Sequence, residues 1–252
     1  MAARDLIIGG LHAARTALEL AGSDVLELWL RRDHEEETTL ALVQQARALG
    51  VAVQRVDVAT LDRVYGDDHH QGVVVRRRPP ATTGLSDVLA RARVAERTVL
   101  LLILDHVQDP RNFGACLRAA DGAGVDGVIF PRDQSARLTT VVAKAASGAL
   151  DTVALIAVPN LANAMSQLSA AGVWLVGTAE EGATDLYAVD LTLPTAFALG
   201  NEGDGLRRLT RARCDTLVKI PMRGRIPSLN VATAAAVCLF EAQRQRSRGA
   251  AG

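Results

Sequence analysis

Three stretches of the 252-residue chain gather polar, charged and glycine residues beyond what turn formation requires. They are LDHVQDPRNFGACLRAAD (104–121), ALGNEGDGLRR (198–208) and IPMRGRIPSLNVATAAA (220–236). The second sets Gly200, Gly203 and Gly205 around the carboxylates of Glu202 and Asp204. Glycine-rich loops commonly cradle phosphates, because bare backbone N–H groups can approach an anion. Here the carboxylates would repel one. No lysine completes a GxxxxGK[ST] loop, and the GxxGxG spacing is not the dinucleotide fingerprint. The loop therefore suits a ligand that is cationic or rich in hydroxyls. Asn112 and Asn230 offer amides that both donate and accept, and Arg118 offers a planar fork for an oxyanion or phosphate. Each residue also has a plainer reading when taken alone. Asn112 would cap a helix, Arg118 would be a solvated helix residue, Glu202 and Asp204 would be turn residues, and Gly203 and Gly205 would be hinges.

All three stretches leave the carboxyl end of an apolar run: TVLLLILD (98–105), TAFALG (195–200) and TLVKIP (216–221). Ligands of open parallel sheets bind beyond such ends. Helical spacing is expected at 112–124, 138–149, 161–172 and 228–247, with Ser228 as N-cap of the last helix, and strands at 127–131, 152–158 and 173–179. This alternation means a mainly parallel sheet with helices on its faces. The front of the chain reads as a smaller α/β unit, with helices at 11–22, 35–50 and 59–66 and strands at 24–32, 51–57 and 72–78. Pro79–Pro80 and the small polar residues after them mark a linker leading to a short helix. The expected division is 1–78, a linker at 79–95, and 96–252. The last residues, RQRSRGAAG, are expected to fray.

Hydrophobic residues make up 49% of the chain, which places it among folded proteins. Its formal net charge of zero neither predicts nor excludes a nucleic-acid partner. Cys116, Cys214 and Cys238 are odd in number and widely spaced, so a reduced, cytoplasmic, metal-free protein is expected. No apolar run suits a leader, and none approaches the ~18 residues of a membrane span. His69 and His70 read as a turn before a strand, and His106 and Cys116 as packing residues. Arg76, Arg77 and Arg78 are either an RNA-contacting patch or a solvated strand end. Arg207, Arg208, Arg223 and Arg225 lie where a phosphate would come.

The three stretches, in this order, resemble the signature motifs of the SpoU class of RNA ribose 2′-O-methyltransferases, across residues 98–245. Ala232 departs from the serine common in that class. HHQGVVVRRR and GGLHAARTAL are similar to the small ribosomal-protein-like RNA-binding domain of bacterial members. The resemblance implies an α/β protein whose C-terminal domain carries a deep trefoil knot, and an obligate homodimer with rRNA as partner. It implies S-adenosylmethionine as cosubstrate, held by Gly200, Ile220, Ser228 and Leu229, with Thr178 in the same pocket. Methyl transfer to a guanosine 2′-OH of 23S rRNA is the implied reaction, with Asn112, Arg118, Glu202 and Asn230 as catalytic residues. Two roles are open for Arg118: transient base, or anchor of the developing alkoxide and the adjacent phosphate. A tRNA or other rRNA substrate, or an RNA-binding assembly factor without catalysis, are the alternative readings.

Overall fold

The computed structural model of the chain describes residues 5–33, 36–201 and 203–249. The first part runs β1 (Leu6–Gly9), α1 (Leu11–Ala21), β2 (Val25–Arg31), α2 (Glu37–Ala48), β3 (Ala52–Val56), α3 (Val58–Tyr65) and β4 (Val73–Arg77). Next come α4 (Leu85–Val94), β5 (Leu100–Asp105), α5 (Pro110–Gly122) and β6 (Gly127–Pro131), then two short helices, α6 (Thr140–Ala146) and α7 (Ala149–Thr152). The rest is β7 (Leu155–Val158), α8 (Leu161–Ala170), β8 (Trp174–Thr178), β9 (Thr184–Asp185), β10 (Thr195–Gly200), α9 (Arg208–Arg211), β11 (Thr216–Lys219) and α10 (Val231–Gly249). The chain groups into two compact units, residues 1–81 with 137–152 and residues 82–136 with 153–252.

The first unit is built on a four-stranded sheet in the order β1-β4-β2-β3. β4 runs antiparallel to both its neighbours, while β2 and β3 are parallel. β1 goes unread in the sequence because its four residues show no period of their own; pairing of Ile8 with Val75 defines it. Residues 137–152 read as part of the second α/β series, but their polar groups find partners in the first unit. The Ile7 N–H donates to Thr140 Oγ1 at 3.1 Å. Lys144 pairs with Asp67 and lies 3.9 Å from the centre of the Tyr65 ring.

Arg77 forms an ion pair with Asp151, the two side chains being 1% and 4% exposed. Arg76 pairs with Glu27 at 3.1 Å, and the Arg78 guanidinium donates to Ser23 O at 3.4 Å. Neither an RNA-contacting patch nor a solvated strand end describes Arg77, which is internal. Removing one partner of a buried pair strands the other charge. Arg77→Ala is therefore expected to lower the stability of this unit by about 3–5 kcal/mol. Urea unfolding followed by Trp29 fluorescence, in a Trp174→Phe background, measures it.

The second unit holds a seven-stranded sheet in the order β7-β6-β5-β10-β8-β11-β9, and every pairing is parallel. All six residues of β5 are buried, as a strand covered on both faces requires. Part of the expected linker belongs to this core, since Leu85, Val88 and Ala92 of α4 pack against Leu101, Ile103 and Met165. Of the tail expected to fray, residues 250–252 lie outside the described residues, and the described part of it is fastened within α10. Arg246 donates to the carbonyls of Thr98, Val99, Leu191 and Leu193, and the Gln245 side chain bonds Val189 O and Leu191 N. Among the described residues no helix is long and apolar enough to cross a membrane.

Candidate functional site

Neighbouring parallel strands β8, β10 and β11 end side by side, and the chain that leaves them walls a cavity of about 710 Å³. Thr178 ends β8, Gly200 ends β10, and Ile220 follows β11. With Ser228 and Leu229 from the stretch before α10, all five residues expected to hold a cofactor line this one cavity. The glycine loop is closed by its own backbone. Gly205 N–H donates to Asn201 O at 3.1 Å, and the Asn201 side chain accepts from Gly203 N at 2.9 Å and Asp204 N at 2.7 Å. Gly205 has φ +64°, the left-handed conformation that favours glycine. Gly200 has no room for a side chain, because a Cβ there would lie 1.9 Å from the Gly205 carbonyl carbon. Asn201, which holds the loop, was not singled out from the sequence; its signal was an Asn just ahead of two glycines.

The cavity wall carries Glu180, Glu181 and Asp204, the basic Arg211, Lys219 and Arg223, and the apolar Leu199, Ile220 and Leu229. A hydrogen bond from Arg211 holds the Glu181 carboxyl below the usual carboxylate range. Apolar surface next to backbone and carboxylates fits S-adenosylmethionine, which combines an adenosine, a sulfonium and an ammonium and has no phosphate.

A smaller cavity of about 130 Å³ adjoins it, with Asn201 and Val231 common to both. His106 and Asn112 line this second space. Asn112 does not cap α5: Asp109 does, accepting from Arg111 N and Asn112 N at 2.8 Å. The Asn112 amide oxygen is thereby turned to Asn230, whose Nδ2 donates to it at 2.9 Å across 118 residues. Asn230 also caps α10 by accepting from Ala232 N at 2.9 Å. The expected cap, Ser228, instead lies exposed in the cavity wall, because the helix begins only at Val231. Arg118 stands six residues beyond Asn112, about 120° away around the helix. It is exposed and lines neither cavity. Glu202 lies outside the described residues.

His106 is hydrogen-bonded on both sides rather than simply packed. Its Nδ1 meets buried Asp105 Oδ1 at 2.5 Å, and its Nε2 meets Gln134 Oε1 at 2.7 Å. With both ring nitrogens engaged, it is not a waiting base. Burial pushes the thiols of Cys214 and Cys238 up to about 12, so neither is a nucleophile near neutral pH. Asp67 and Asp68 stand beside exposed His69, neighbours that a search for Cys and His passes over, and Asp67 is engaged by Lys144.

Comparison with known proteins matches two regions of the chain, and the longer of them runs through residues 137–152, which the structure groups with the first unit. Residues 99–240 match the SpoU rRNA Methylase family, and residues 7–83 match RNA 2′-O ribose methyltransferase substrate binding. The 23S rRNA (guanosine-2′-O-)-methyltransferase RlmB of Shewanella oneidensis is 48% identical over 243 residues, 95% of this chain and 97% of that protein. Among solved structures, the SpoU methyltransferase AviRb from Streptomyces viridochromogenes, in complex with the cofactor AdoMet, superposes with a TM-score of 0.81. It is 28% identical and covers 97% of this chain and 92% of its own. The AdoMet-bound rRNA methyltransferase from Sinorhizobium meliloti gives 0.80 at 26% identity, over 96% and 87%. With its two sequence regions matched in order and nearly half its residues shared with a full-length relative, this chain belongs to the SpoU rRNA methylase family.

Proposed function

We propose that this protein transfers the methyl group of S-adenosylmethionine to the ribose 2′-oxygen of a guanosine in 23S rRNA. One observation carries the reading: a single cavity is lined by Thr178, Gly200, Ile220, Ser228 and Leu229, and the Asn112–Asn230 pair adjoins it. Those five residues would hold the cosubstrate, which supplies an electrophilic methyl group when bound. A ribose hydroxyl is a poor nucleophile until it is positioned and its proton begins to leave. The Asn112 and Asn230 amides, locked to each other, align the sugar. Arg118 stabilises the developing alkoxide and grips the adjacent phosphate, because a guanidinium that stays protonated is an anchor and not a base. Glu202 orients Arg118 or accepts the proton.

The chain acts as a cytoplasmic homodimer on rRNA, and the unit built on β1–β4 binds that RNA. The exposure of Arg118, turned away from Asn112, supports a site completed by the second protomer. The trefoil knot of the C-terminal domain is what the resemblance to the SpoU class implies for this parallel sheet. Mapping ribose methylation across rRNA and tRNA in cells lacking the protein tests the substrate. One 23S guanosine is expected to lose its methyl group; a tRNA position lost in its place would overturn that assignment. Calorimetry with S-adenosylmethionine tests the enzyme reading, and no binding by the purified protein would sink it.

A further inference from the structure

Asp105, His106, Gln134 and Arg207 close a ring of hydrogen bonds at the rim of the second cavity. One oxygen of buried Asp105 holds His106, and the other accepts the Arg207 backbone N–H at 2.8 Å. His106 reaches Gln134, whose Oε1 also accepts from Arg207 Nη1 at 3.0 Å. Arg207 Nη1 donates to the Gln134 amide oxygen, and the His106 ring lies within hydrogen-bond distance of the same amide. The ring joins the end of β5, the loop after β6 and the residue before α9, so it sets one side chain against three separate segments.

His106 and Gln134 both sit in the left-handed region, at φ +60° and +67°. Glycine would make these turns without strain, and strained non-glycine residues persist where their surroundings hold them in place. Here the side chains of both take part in the ring, His106 through Asp105 and Gln134, and Gln134 through His106 and Arg207. Arg211 spends its charge on Glu181. Arg207 is instead exposed and steadied by a neutral amide, which leaves its positive charge available to an anion.

We propose that His106 and Gln134 are positioning residues that aim Arg207 at a phosphate of the RNA next to the acceptor ribose. This rests on the methyl-transfer reading. The planar guanidinium suits a phosphate bidentately, and His106 brings the ring to the cavity that Asn112 lines.

The test compares Arg207→Ala, Gln134→Glu and His106→Gly on a 23S rRNA fragment carrying the guanosine that loses methylation in the deletion strain. Gln134→Glu keeps an acceptor for Arg207 Nη1 but places a negative charge against its guanidinium, so it tests the availability of that charge. His106→Gly removes the imidazole and relieves the backbone but strands one oxygen of buried Asp105, so urea unfolding of this variant is measured alongside its kinetics. KM for the fragment is expected to rise about tenfold for Arg207→Ala and Gln134→Glu, and about threefold for His106→Gly. The change in kcat should be smaller, and affinity for S-adenosylmethionine should be unchanged. The salt slope of fragment binding should fall by about one for Arg207→Ala. Wild-type KM and salt slope in Arg207→Ala and Gln134→Glu would overturn the proposal. Filter binding of the same fragment reads the phosphate contact without catalysis, so an inactive wild-type chain would count against the enzyme reading alone.

Discussion

Arg118→Ala is expected to abolish methyl transfer while leaving affinity for S-adenosylmethionine within about twofold. The separation follows from placement. Arg118 lines neither cavity, so its removal takes nothing from the cofactor pocket. In the proposed mechanism its contribution comes when RNA is present and negative charge develops on the 2′-oxygen. Removing one such electrostatic donor costs about 10²–10³ in kcat elsewhere, and a residue that also holds the phosphate loses positioning in addition. Arg118→Lys keeps the charge without the planar fork and should recover a small part of the activity. Single-turnover methyl transfer and calorimetry on the same preparations measure both quantities. Parallel loss of cofactor binding would show that Arg118 holds the fold of the site.

Gly200→Ala should produce the opposite pattern, a loss of cofactor affinity on the order of 100-fold with the protein still folded. The clash of a new Cβ is with the backbone of Gly205, and no side-chain rotation relieves it. The loop must move, and its Asn201–Gly205 closure forms part of the wall of the large cavity. Overpacking of this kind costs about 1–3 kcal/mol of stability, so urea unfolding should still show a cooperative transition. Retention of affinity to within a few-fold would mean that the loop does not contact the cofactor.

Together the two variants test where Arg118 acts. A mixed dimer of Arg118→Ala and Gly200→Ala chains contains one intact cofactor pocket, in the chain that lacks Arg118. If the protein is the proposed dimer and Arg118 of one protomer serves the other's pocket, mixing the two variants restores activity at an S-adenosylmethionine concentration too low to fill the Gly200→Ala pocket. If it serves its own, the mixture stays inactive.

The sequence alone determined the features whose causes lie within a few residues. The apolar run of β5 and the glycine loop after β10 follow from local periodicity and turn chemistry, and they stand where expected. Thr178, Gly200, Ile220, Ser228 and Leu229 were reached through the resemblance to the SpoU class, and all five line the large cavity, each at or just beyond the carboxyl end of a strand or just ahead of α10. Only the tertiary structure decided which distant groups meet. Asp151 takes residues 137–152 into the first unit through Arg77, 74 positions away, and nothing near Asp151 announces that partner. Asn230 is the cap of α10 as well as the partner of Asn112, because the helix starts two residues later than Ser228 would require. The ring from Asp105 to Arg207 draws on three segments, so no single one reveals it. Local dihedral preferences act over one or two turns of chain. A buried charge or amide is satisfied by whatever folding brings to it, and that choice is made by the packing of the whole sheet.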